Sequence, residues 1–261
     1  MVGGLSHRMN ILFAHQNYPA QFGALGAYLA QEGWSVGFFT ARADARPPSG
    51  CAMWRMQPHR EPAKAVHRFA RPLEQAMINA QAFANAAIRA RADGLGPDLV
   101  VAHSGWGSGT FAKAVWPEAR FVTYLEWYYR WPPVDSVMPE AERTGDEDGR
   151  AKALARNAPS LLDMAEADLA ICPTRFQADQ FPDWLRARIT VAHDGVDTAF
   201  FAPDETATPP LGDGALPADA EIVTYATRGM EPHRGFPEFM RALALLQKRR
   251  PKLHAIIGGQ D

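Results

Sequence analysis

A chain of 261 residues, 47% hydrophobic and 21% charged, has ordinary globular composition and is long enough for one large domain or two small ones. Its net charge of -2 excludes a general attraction to nucleic acid, so any anion must be held by local arginines. Two cysteines far apart, Cys51 and Cys172, without CxxC spacing, argue against a zinc site and fit a reducing compartment.

The opening "MVGGLSHR" reads as a disordered leader over residues 1–8, with Met9 as an alternative start. "NILFAH" (10–15) predicts the first strand, and "PAQFGALGAYLAQEG" a helix stopped by Gly33. "WSVGFFT" (34–40) and "CAMWRMQ" (51–57) predict two more strands. An Ala-rich helical pattern runs from about 65 to 92 with Pro72 near its first turns. "DLVVAH" (98–103) is the next strand, followed by "SGWGSG" and a short helix to Val115; "RFVTYLE" (120–126) is another. An irregular stretch, acidic at its end, leads to helix at about 150–165, strand "DLAICP" (168–173), a short helix capped by Thr174, and strand "ITVAH" (189–193). No run is long enough for a signal peptide or a membrane span, and the chain reads as cytoplasmic; peripheral membrane contact stays open, because a surface patch need not show in sequence.

This alternation of short apolar runs with helical patterns predicts an α/β fold, a Rossmann-like parallel sheet over residues 9–200. Composition then shifts to Pro, Gly, Asp and Thr, a linker over 201–220, before one further βαβ unit over 221–261, the start of a second Rossmann-like domain.

Ligands of an open parallel sheet bind beyond the carboxyl ends of its strands. The residues there are His15-Gln16-Asn17, His103-Ser104, Glu126-Trp127, Thr174-Arg175 and His193-Asp194, which together imply a polar cleft. His103 could hydrogen-bond a substrate hydroxyl or cap its strand structurally. Trp127, Tyr128, Tyr129 and Trp131 could stack on a sugar ring or cover the core. "GWGSG" (105–109) could bring backbone N–H groups to an anion or serve as a tight packing turn. As a nicotinamide fingerprint it lacks full GxGxxG spacing and follows a middle strand. Arg228 and Arg234 flank a tight turn before a helix opening at Gly235.

"MNILFAHQNYPAQF", "VVAHSGWGSG", "ADLAICPTRF", "VAHDGVDTAFF" and "TRGMEPHRGFPEFMRAL" occur in this order and together resemble family-4-type glycosyltransferases of the GT-B fold. The resemblance implies a retaining, metal-independent enzyme that moves a hexosyl group from a nucleotide diphosphate donor to a hydroxyl of a glycan, a lipid-linked or a small-molecule acceptor. It implies no cofactor and no metal site. Arg228, Arg234 and Gly235 then fall at the donor diphosphate, where the family carries an arginine and usually a lysine at a spacing one residue shorter. Gly23 would approach the same diphosphate, with one glycine where the family has two. His103 would lie at the reacting centre, and His15, Asn17, Glu126 and Trp127 on the acceptor side. The family's later pair of glutamates would lie beyond Asp261, so the expectation is a chain incomplete within its second domain and inactive alone. A non-catalytic glycan- or partner-binding module and an NAD-dependent oxidoreductase are the alternatives.

Overall fold

The computed structural model describes residues 8–134, 146–207, 216–217 and 219–260. The expected leader lies outside these residues except for Arg8, as do residues 208–215 and 218 of the expected linker. Of the described residues, 8–132 and 146–195 form one compact unit, and 133–134 with those from 196 onward form the other.

Seven strands form the sheet of the larger unit: β1 (Asn10–Ala14), β2 (Ser35–Thr40), β3 (Cys51–Arg55), β4 (Leu99–His103), β5 (Arg120–Tyr124), β6 (Leu169–Cys172) and β7 (Ile189–Val191). All pairings are parallel, in the order β3-β2-β1-β4-β5-β6-β7. Its central strands are apolar on both faces, as helices on both sides demand. Along β1 the side chains alternate: Ile11 and Phe13 join one core cluster, Leu12 and Ala14 the other. The second cluster lies under α2 (Arg71–Ala92), whose buried alanines, among them Ala82, Ala86 and Ala87, allow close approach to Phe39 and Phe121 of the sheet. Aspartates seat two strand starts. Asp98 accepts the Asn10 N–H at 2.7 Å, and Asp168 accepts that of Phe121 at 2.7 Å. Bonding from Lys113, then from the Phe121 N–H, holds the Asp168 carboxyl below its usual range.

Three helical expectations change in detail. The first helix, α1, spans only Gly23–Gln31; residues 20–22 form a 3-10 turn after the cis Tyr18–Pro19 bond, and Gly33 closes the helix end at φ +87°. The long helix begins at Arg71 and not near 65, because Pro72 belongs in a first turn, where its missing N–H costs nothing. The stretch read as one helix over 150–165 is two, α4 (Asp146–Arg156) and α5 (Ala158–Glu166), broken at the buried Asn157. Three short helices complete the unit: α3 (Ala112–Val115), α6 (Arg175–Ala178) and α7 (Asp183–Arg186). Thr174 caps α6, its hydroxyl accepting the Gln177 N–H at 3.2 Å.

In the smaller unit β8 (Glu221–Gly229) pairs in parallel with β9 (Leu253–Gln260), and α8 (Phe236–Arg249) connects them. Tyr225 meets Phe236 and Phe239 at ring-centroid distances of 5.5 and 4.8 Å. Among this unit's described residues Leu243 alone is buried.

Candidate functional site

Strand β1 lies between β2 and β4, so the order of the sheet reverses between β1 and β4. A crevice opens beyond the carboxyl ends of strands at such a point, because the connecting helices leave to opposite faces. His15 follows β1 and His103 ends β4, with ring centroids 4.7 Å apart in an edge-on arrangement. Both are buried.

Hydrogen bonds define the two imidazoles differently. The Nδ1 of His15 accepts the Asn17 N–H at 2.8 Å, which places the proton of a neutral ring on Nε2. Burial, then the neighbouring His103, lowers this group from 6.5 to about 4, against a smaller upward pull from Glu126. The Nδ1 of His103 lies 2.8 Å from the Ser104 carbonyl, which can only accept, so Nδ1 donates. Its Nε2 is 3.1 Å from the Glu126 carboxylate. Next along the sheet edge, Tyr124 donates to Asp194 at 2.8 Å. Burial, then this bond, holds the phenol far above its usual range, so Tyr124 is a donor and not a base.

A cavity of about 220 Å³ opens beside His103 and Glu126. The aromatic run after β5 divides its work. Trp127 and Tyr129 line the cavity, Tyr128 packs on Phe181 at 5.1 Å, and Trp131 lies where a side chain on Gly149 would fall.

The glycine loop is a packing device. A Cβ on Gly107 would lie 1.9 Å from the Ala76 carbonyl, and one on Gly109 2.2 Å from the Ala102 side chain. The loop's anion partner is the protein's own Asp163, on α5. One of its oxygens accepts from Ser104 Oγ at 2.9 Å and the Gly105 N–H at 3.2 Å, the other from Thr110 Oγ1 at 2.6 Å. Burial pushes this carboxyl above its ordinary range, and those three bonds oppose the shift. At "GWGSG" the Gly105 N–H is taken, and the helix that follows the loop has only four residues.

The remaining expected residues are spread out. Asn17 is exposed, its N–H given to His15. Gly23 starts α1, and a Cβ there would meet the Pro19 ring at 2.7 Å. Phe22 beside it belongs to the core, stacked on Phe13 at 5.2 Å. In the smaller unit Arg228, near the end of β8, is exposed. Arg234 closes a 3-10 turn, and its Nε donates to Glu231 at 2.6 Å. Gly235 follows at φ +77° and caps α8. Glu231 is held below its usual range mainly by Arg234. Among the described residues no group of three or more His, Cys, Asp or Glu side chains is arranged to hold a metal ion.

The model of the glycosyl transferase family 4 group matches residues 32–201. The chain belongs to that family. No curated protein sequence matches it. Solved structures share the fold at low identity. One is an α,α-trehalose 6-phosphate synthase from Burkholderia multivorans: TM-score 0.60, 14% identity, 96% of this chain and 65% of that one. Another is the catalytic domain of starch synthase IV from Arabidopsis thaliana, bound to ADP and acarbose: TM-score 0.59, 13% identity, 97% and 69% covered. A third is HepE of Anabaena with UDP and glucose: TM-score 0.57, 16% identity, 97% and 62% covered. The family 4 chain thus spans less than two thirds of the length of several such structures. Its sheet is the Rossmann-like α/β sheet expected of a GT-B protein.

Two contributors in this family 4 protein were missed in the sequence. Asp163 lies in the middle of an amphipathic helix, where a lone acid gives no sign that it faces inward. Asn157 looks like ordinary helix interior, yet its amide donates to the Tyr129 carbonyl at 2.9 Å and accepts the Tyr129 N–H at 2.8 Å. The Pro159 two residues later was the available signal that the helix breaks there.

Proposed function

We propose that this protein transfers a hexosyl group from a nucleotide diphosphate donor to an acceptor hydroxyl, retaining anomeric configuration and without a divalent metal. The observation that carries this reading is the fixing of His103 through both ring nitrogens at the switch point of the sheet, beside an aromatic-lined cavity. In this reading residues 9–200 form the acceptor side, 201–220 the linker and 221–261 part of the donor side.

Each group has a physical task. His15 offers an Nε2–H from a ring that stays neutral at physiological pH, suited to a sugar hydroxyl. His103 lies at the reacting centre, oriented by the Ser104 carbonyl and by Glu126. Glu126 and Trp127 receive the acceptor, the carboxylate taking hydroxyl hydrogen bonds and the indole the apolar face of a sugar ring. Asn17 contributes from the loop after β1. Negative charge grows on the diphosphate as the glycosidic bond breaks, and a metal-free site must meet it with fixed cations and helix-end N–H groups. Arg228, Arg234, Gly235 and the start of α8 supply these. No side-chain nucleophile is assigned. Two unpaired cysteines fit a cytoplasmic setting, and among the described residues no helix is long and apolar enough to cross a membrane.

The test incubates the protein with UDP-, ADP- and GDP-sugars and a panel of glycan, lipid-linked and small-molecule acceptors, with and without EDTA. The anomeric configuration of the product is read by NMR. Where transfer is observed, retention, indifference to EDTA and a reduction of about 10²-fold or more in His103→Ala are expected. Transfer that EDTA abolishes, or that His103→Ala leaves intact, overturns the mechanism. Acceptor binding without nucleotide affinity indicates a non-catalytic module.

A further inference from the structure

One charged side chain at the mouth of the cavity has no task in this scheme. Arg156, the last residue of α4, lies with its guanidinium carbon 3.7 Å from the centre of the Tyr129 ring and lines the cavity that His103 and Glu126 reach. A ring face engages a guanidinium without using its in-plane N–H groups, so the fork stays available. Among the described residues Arg156 has no carboxylate partner. Its platform is rigid, because the buried Asn157 holds the Tyr129 peptide by a donated and an accepted hydrogen bond.

The groove continues outward. A second cavity, of about 260 Å³, shares Pro72 and Arg156 with the first and adds Arg68, Phe69 and Lys152. Lys152 is four residues before Arg156, on the same side of α4. Arg68 is neutralised by Asp148. Lys152, like Arg156, has no carboxylate partner among the described residues. A basic last turn suits a helix dipole in any protein, but that does not account for a cation laid on an anchored ring between two joined cavities. The groove is thus polar and aromatic at the His103 end and positive at the other.

We propose that the acceptor carries an anionic group, a phosphate or a carboxylate, which Arg156 and Lys152 hold while its reacting hydroxyl lies at His103 and Glu126. This rests on the reading of the larger unit as the acceptor side. It adds a charge requirement which that reading does not contain, and it accounts for the cation at the cavity mouth.

Calorimetric titration of the whole protein with glucose 6-phosphate and with glucose separates the two ideas, with Trp127→Ala as the marker of cavity occupancy. The phosphate is expected to bind about tenfold tighter or more, an advantage lost in Arg156→Ala, partly kept in Arg156→Lys and reduced in Lys152→Ala. Glucose binding is expected to weaken in Trp127→Ala and not in Arg156→Ala. Equal binding of both sugars, dependent on Trp127 but not on Arg156, overturns the anionic acceptor and leaves the acceptor side standing. Binding of neither sugar, or binding insensitive to Trp127, overturns both. Sedimentation with phosphatidylglycerol-containing against pure phosphatidylcholine vesicles identifies the source. Arg156-dependent sedimentation with the anionic vesicles assigns a lipid headgroup; phosphate-sugar binding without it assigns a soluble acceptor. Arg156 is exposed, so unchanged unfolding of Arg156→Ala separates lost binding from lost fold.

Discussion

The strand, turn, helix and strand of residues 221–260 repeat the local pattern of the larger unit, and the apolar content of "EIVTYAT" matches that of "RFVTYLE". Burial separates them. In β5 four of five residues are buried, while in β8 none is, the pattern alternating between exposed and half-buried. A parallel strand gains its hydrophobic stabilisation only when helices cover both faces of its sheet. The larger unit has that cover on both sides of β1, β4 and β5; the two-stranded unit has α8. So the site beyond β1 and β4 is held by packed neighbours several layers deep, whereas the arginine turn is held by what is nearby: Glu231, the αL glycine, and a hydrogen bond from the Tyr225 hydroxyl to the Arg234 carbonyl at 3.0 Å. Substitutions in the two places should differ accordingly in size.

The largest effect belongs to Asp163. Replacing it by Ala leaves Ser104, the Gly105 N–H and Thr110 without their acceptor in a closed environment. A loss of about 3–5 kcal/mol is expected in urea unfolding, at the usual 1–3 kcal/mol for each unsatisfied buried donor. Gly107→Ala should approach this cost, since its Cβ would collide with the Ala76 backbone from a positive φ. Losses below about 1 kcal/mol in both variants would show that the loop keeps its shape without these devices.

His15 comes next. Its folded value, about 4, lies below the ordinary 6.5, so between those limits the unfolded chain binds more protons. Stability from this group is complete above pH 6.5 and is lost as the pH falls to about 4. The full loss is about 3 kcal/mol, at 1.36 kcal/mol per pKa unit. His15→Gln should flatten the pH–stability curve across that window, measured by urea midpoints at stepped pH. An unaltered curve would mean the ring gains protons without penalty.

The strands were legible because buried parallel strands are near-continuous apolar runs, and the residues after them could be named by position alone. His15, His103 and Glu126 converge for that reason. What position could not give was the third dimension. Nothing in "PSLLDMAEA" says that Asp163 reaches the glycine loop fifty-eight residues before it in sequence, because that contact depends on how α5 crosses the sheet. The split of the aromatic run was equally hidden: neighbours at 127, 128 and 129 face different surroundings in irregular backbone, where no periodicity assigns sides. The arginine turn is legible as strand, turn and helix, but which nearby acid, Glu231 or Glu238, pairs with Arg234 is not.

Two positive φ angles make a matched pair across the units. Ala20, in the loop after β1, has φ +43°, where an L side chain is disfavoured; Gly235, before α8, has φ +77°, where glycine is the suitable residue. Ala20→Gly should cost little or stabilise the larger unit by up to about 1 kcal/mol, and Gly235→Ala should weaken the smaller one by about 1 kcal/mol. Hydrogen exchange across α1 and α8 reads the two units separately. Faster exchange at α1 in Ala20→Gly would mean that chain stiffness in that loop outweighs the strain.

The smallest expected effect bears on the arginine turn itself. Arg234 donates to Glu231 across a turn of three residues, an arrangement that also occurs with no ligand in view. If that guanidinium serves a diphosphate, the carboxylate is a competing anion, and Glu231→Gln should tighten UDP binding by about twofold to threefold, the modest size of a surface ion pair. Arg228 has no carboxylate partner among the described residues, so Arg228→Ala should weaken UDP binding in both the parent and the Glu231→Gln background by the same factor. Arg234→Ala should erase the gain from Glu231→Gln, because the substitution acts only through the cation it releases. Calorimetry on the six proteins, the parent and Glu231→Gln each alone, with Arg228→Ala and with Arg234→Ala, closes both cycles. A gain that persists without Arg234 would mean that Glu231 repels the nucleotide directly, and UDP affinity unmoved by any of the three changes would leave Arg234 as the local brace of its turn.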